Sequence, residues 1–122
     1  MRHLALLTLT AGVLACPPAH AANPAEGRAV FEDMCSDCHT VTPGKHKRGP
    51  SLAGIVGRPA AAQANYNYSN ALRKAGIVWT PERLKAYLSD PKQDVPGGKM
   101  RLLIKPTPAE IADVLAWLGQ NR

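Results

Sequence analysis

The stretch Cys35-Ser36-Asp37-Cys38-His39 decides how this chain folds. Two thiols three residues apart lie about one helical turn from each other, and an imidazole follows the second at once. In C-x-x-C-H that spacing sets both thiols near one edge of a planar ring, where they can add to the two vinyl groups of a haem. The histidine then lies under the iron and binds it through a ring nitrogen. The bare string also occurs by chance and in zinc sites. A zinc site needs four ligands, and Cys35, Cys38, His39 and His46 are the candidates once the amino-terminal leader is gone. A thioredoxin-like dithiol wants a strand–helix context, and no strand pattern stands out. The leader itself tips the choice to haem.

Met1-Arg2-His3 is a short positive lead, Leu4 to Ala15 is an apolar run, and the small-x-small triplet Ala19-His20-Ala21 closes it. This is the layout of a secretory signal peptide, residues 1–21, cleaved after Ala21. The apolar run, about 12 residues, is too short to span a bilayer. A second reading takes Val13-Leu14-Ala15-Cys16 as a lipobox and makes Cys16 a lipid anchor. Leu14 is unusual there, which favours plain cleavage. Of the 122 residues, 101 remain (22–122), enough for one small domain. Cys16 leaves with the leader, and Lys plus Arg falls from 15 to 14 against 9 acidic groups, a net charge of +5. The basic balance raises nucleic acid, anionic membranes and acidic proteins as partners. With 5% aromatic residues and no basic helix interleaved with aromatics, nucleic acid has only charge in its favour.

Four helices are expected. The first opens at Asn23-Pro24-Ala25-Glu26, with Asn23 as cap, Pro24 at the first turn and Glu26 reaching back as in a capping box. The second is "SNALRKAG", capped by Ser69 and ended by Gly76. The third starts at Thr80-Pro81, carries Leu84, Tyr87 and Leu88 on one face and stops at Asp90-Pro91. The fourth opens on a second capping box, Thr107 to Glu110, with Ile111, Val114, Leu115 and Leu118 as its stripe. The long connections from Cys38 to Ser69 and from Asp90 to Thr107 are more loop than so small a domain carries without a functional reason.

Haem iron has a second axial position. Met34, His46 and Met100 are the candidates. Met34 adjoins Cys35 and reads as core packing of the first helix. His46, in the basic stretch "GKHKRG", reads as a solvated surface histidine. Met100, in the glycine-flanked "VPGGKM", sits on a loop able to present a thioether, so Met100 is the expected ligand. A His/Met iron has a raised potential and no open position for substrate. The chain would then carry electrons and perform no catalysis. A labile Met100 bond would instead give a haem protein that binds small ligands, as a sensor or peroxidase-like enzyme.

"GRAVFEDMCSDCHTV", "GKHKRGPSLAGIVGR", "YNYSNALRKAGIVW", "LKAYLSDPK", "VPGGKM" and "VLAWL" stand in this order along the mature chain. With them the chain resembles the class I c-type cytochromes, specifically the mitochondrial cytochrome c and bacterial cytochrome c2 group. The resemblance implies an all-α fold, four helices with long loops wrapped around one covalently attached haem c. It implies that the Pro50 carbonyl takes the free N–H of His39, fixing its tautomer. Tyr68 and Trp79 would bond a haem propionate, Arg58 would offset its charge, and Tyr87 would sit near the Met100 sulfur. Gly27 and Phe31 would pack against Leu115 and Trp117. Three positions depart from the family pattern: Gly98 replaces a hydroxyl residue, Leu72 a polar one, and "RLLIKPTP" after Met100 is one residue short.

Lys45, Lys47, Lys92 and Lys99 fall in the loops that the resemblance places around the exposed haem edge. As a set they suit steering to acidic redox proteins, a reductase and an oxidase, over a small interface. The expectation is a monomeric periplasmic one-electron shuttle.

Overall fold

The computed structural model describes residues 15–122, so the leader's positive lead and most of its apolar run lie outside the described residues. Five helices are present among the described residues: α1 Pro24–Met34, α2 Asn70–Lys74, α3 Pro81–Ser89, α4 Pro91–Asp94 and α5 Pro108–Leu118. The fold is all-α. The sole ladder contact among the described residues is an isolated antiparallel bridge between Pro59 and Val78. It clips the loop after the Cys/His turn to the strand-like entry of α3, with Trp79 N–H bonding the Arg58 carbonyl at 2.9 Å.

Three of the expected starts are set by their caps. Ser69 accepts from Leu72 N–H, Thr80 from Arg83 N–H, and Thr107 from Glu110 N–H, the last completed by Glu110 reaching back. The start of α1 differs from expectation. The Asn23 side chain caps as expected, accepting from Ala25 N–H at 3.0 Å, but its own N–H donates to Asp113 Oδ1 of α5 rather than to Glu26. A buried carboxylate from the facing helix outcompetes the exposed local glutamate.

The fifth helix is a correction to the four-helix expectation. Asp90, which ends α3, swings its carboxylate onto Gln93 N–H at 3.1 Å, and Pro91 then opens the single turn of α4. Arg83 of α3 pairs with Asp94 at 2.6 Å and holds that turn in place.

α1 crosses α5 at Gly27. A Cβ there would lie 1.9 Å from the Asp113 carbonyl oxygen, so only glycine lets the backbones meet. Phe31 packs on Trp117 with ring centroids 4.9 Å apart. The core continues through Leu84, Tyr87, Val95, Val114 and Leu118. Among the described residues no helix is long and apolar enough to cross a membrane.

Candidate haem site

The chain runs from α1 straight into the Cys/His turn. Cys35 caps the helix, Cys38 N–H and His39 N–H both bond the Cys35 carbonyl (3.1 and 2.9 Å), and the turn therefore continues the helical path. Both cysteines are free thiols and partly buried. Burial, with the Cys38 thiol adding to it, pushes the Cys35 thiol up to about 11.

His39 is held from two sides. Its Nδ1 donates to the Pro50 carbonyl at 2.8 Å, which leaves Nε2 as the nitrogen with a free lone pair. Burial keeps the ring below its usual pKa, against the opposing pull of the Pro50 bond, so the imidazole is neutral at pH 7. Gly49 closes over the ring: a Cβ there would stand 2.2 Å from His39 Cε1 and 2.6 Å from Nδ1. Gly49 is itself fixed by its N–H to the Cys38 carbonyl at 2.8 Å. Sequence reading passed over Gly49. The only trace it left is its place directly before Pro50.

His46 is not a plain surface histidine. Its Nδ1 accepts from Ser51 N–H at 3.0 Å and its ring lies edge-on to Tyr66, so it braces the loop that carries Pro50. Met34 is partly buried on α1 beside the cysteine turn.

Met100 reaches the core from a built turn. Val95-Pro96-Gly97-Gly98 is a type II turn, with Pro at its second position, Gly97 at φ +85° and Gly98 N–H on the Val95 carbonyl at 3.0 Å. The turn hands on to Lys99, whose Nζ bonds the Asn67 carbonyl, and then to Met100, packed against the apolar core. Tyr87 and Trp79 pack against each other in that core, ring centroids 4.9 Å apart and planes tilted by 47°.

Arg58 donates to the carbonyls of Ala53 (2.8 Å) and Ser51 (3.1 Å), yet its Nε is buried with no partner. Buried donors are rarely left so, and a carboxylate would satisfy this one. The Tyr68 hydroxyl accepts from Gln63 N–H at 3.3 Å and keeps its proton for another acceptor. Two free thiols, one imidazole nitrogen, a thioether and an unpaired guanidinium N–H are chemically suited to a haem and its propionates. A zinc reading finds no support, for among the described residues no three His, Cys, Asp or Glu side chains gather.

A cytochrome c family profile matches residues 24–122. The chain belongs to the cytochrome c family. Its members bind haem c covalently and transfer electrons with it. Cytochrome c2 of Rhodopila globiformis is 46% identical over 96 residues, 79% of this chain and 91% of that protein. Cytochrome c2 of Agrobacterium tumefaciens (strain II Chrys) is 47% identical over 98 residues, covering 77% and 87%. Among solved structures, cytochrome cH from Methylobacterium extorquens superposes with a TM-score of 0.74 at 36% identity, over 81% of this chain and 99% of that one. The chain thus keeps the family's fold, with five helices among the described residues.

Proposed function

We propose that the chain is a periplasmic one-electron carrier, its haem c bound by Cys35 and Cys38 and its iron held by His39 and Met100. The observation that carries the reading is the His39–Pro50 bond: it commits one ring nitrogen and leaves the other, on a neutral imidazole, free for iron. The iron supplies a one-electron couple. Met100, presented by the Val95–Gly98 turn, would supply the second protein ligand and leave the iron no position for a substrate. Arg58, Tyr68 and Trp79 take the propionates, and Tyr87 packs near the thioether. The chain is exported by its leader, residues 1–21, and works as a monomer. Lipidation of Cys16 is the alternative fate of the leader.

The docking face combines exposed lysines with exposed apolar side chains in the segment after Met100. Lys45, Lys47, Lys92 and Lys99 are exposed, and none is in an ion pair among the described residues. Next to Met100, Leu103 and Ile104 are 85% and 64% exposed between Arg101 and Lys105. Such a patch fits an acidic redox protein that docks briefly.

Optical spectra of the ferric protein test the ligation. Met100→Ala removes the sulfur-to-iron band and opens the iron to small ligands, whereas Met34→Leu leaves both as they were. A Met100→Ala protein with the unchanged spectrum refutes the assignment.

A further inference from the structure

Asp113 makes no hydrogen bond to the residues assigned to the haem, and nothing in electron transfer calls for it. It is a carboxylate 6% exposed in the α1–α5 crossing, on the helix face that Gly27 approaches. One oxygen, Oδ1, takes two contacts from across the chain: Asn23 N–H at 2.8 Å and His20 Nε2 at 2.9 Å. His20 is the middle residue of the Ala19-His20-Ala21 triplet, so the two contacts straddle the expected cleavage point. Removal of residues 1–21 takes away His20, the only ion-pair partner of Asp113 among the described residues. A carboxylate in a helix crossing that loses one of its two hydrogen-bond partners is left with an oxygen open to a new donor. The same cleavage creates a cation next door. Ala22 becomes the first residue, and its α-ammonium is one peptide unit from the N–H that Asp113 already holds. With consecutive Cα atoms about 3.8 Å apart, rotation within Ala22 brings that ammonium to the carboxylate.

We propose that Asp113 is the binding site for the mature amino terminus: it holds the His20 side chain before processing and the Ala22 α-ammonium afterwards. This rests on cleavage after Ala21. The exchange ties the entry of α1 to α5 at the close helix crossing. Other charges nearby are engaged or of the same sign as Asp113. On α1, Glu26 is acidic and Arg28 is paired with Glu32; on α5, Glu110 is held by Thr107. The charged side chains of α3 send no bond to Asp113, and its Arg83 is taken by Asp94. The sign of the pH dependence follows. An amine whose folded-state pKa is raised stabilises fully below its unfolded value, about 7.7–8.0, and the contribution fades as pH rises through the raised value.

The experiment uses the processed holoprotein. Intact mass identifies the first residue, and the ¹³C shift of the Ala22 methyl group follows the amine through a pH titration. The midpoint is expected about half a pH unit or more above the ordinary range, and Asp113→Asn returns it there. Should Asp113→Asn fold poorly, a Gly-Ser-Gly extension ahead of Ala22 moves the amine away with Asp113 intact, and the new amine titrates ordinarily. An ordinary midpoint on an Ala22 start overturns the proposal alone. So does a raised midpoint that survives either change. A different first residue overturns the cleavage reading and this inference with it.

Discussion

Gly49→Ala places one methyl group against the proposed iron ligand and nowhere else. The methyl carbon would stand 2.2 Å from His39 Cε1, 2.6 Å from Nδ1 and 2.8 Å from Nε2, where ordinary contact begins near 3.4 Å. The gap to be opened is about 1 Å. Gly49 has no positive φ, so the backbone itself accepts alanine, and the clash with the ring decides the outcome. If the ring retreats, the Pro50 bond at 2.8 Å is lost; if the loop lifts, the Gly49–Cys38 bond at 2.8 Å goes instead. Either loss costs about 1 kcal/mol, and overpacking adds about 1–3 kcal/mol, a total of about 2–4 kcal/mol. Guanidinium unfolding of the ferric holoprotein measures it. Loss of the Pro50 bond also lowers the basicity of His39, so the midpoint potential rises. Gly44→Ala is the control: its φ of +71° strains alanine by about 1–2 kcal/mol, but no atom lies within 4 Å of the new Cβ, so the potential stays put. A Gly49→Ala protein with unchanged stability and potential would refute the claim that Gly49 fixes the ring.

Gly27→Ala meets the Asp113 carbonyl at 1.9 Å and the Trp117 Cβ at 2.9 Å. Despite about 1 kcal/mol of helix propensity in its favour, it should cost about 2–4 kcal/mol by the same unfolding assay, while Met100 ligation persists in the folded fraction. On the basic face, Lys92→Glu should slow association with an acidic redox partner several-fold at low salt and lose its effect as salt rises, since exposed charges are screened within about 8 Å at physiological ionic strength. Arg122→Glu should change little; stopped-flow rates equally sensitive to both would leave the lysines as ordinary solvated charges.

What could be read ahead of the structure was whatever depends on near neighbours in sequence. Caps lie three residues from the amides they satisfy, so Ser69, Thr80 and Thr107 announced α2, α3 and α5 correctly. The C-x-x-C-H turn is likewise local, and its context of ordered family motifs located Pro50 and Met100, which the fold puts beside His39 and against the core respectively. α4 escaped because four residues carry no periodicity, and because Asp90-Pro91 reads equally well as a stop for one helix and a start for the next. The false half of the first capping box has a different origin. Glu26 offers a carboxylate at the right spacing, and no local rule could show that Asp113, 90 residues away, would take the Asn23 N–H first. The same distance hid Asp113 itself. On α5 it stands between Ala112 and Val114, and the Gly27 crossing buries it. Gly49 was hidden by its lack of a side chain, since its role is the space it leaves for His39. Local signals therefore placed most of the elements and the Cys/His turn, while the residues that fix how those parts meet are set by contacts that sequence proximity does not encode.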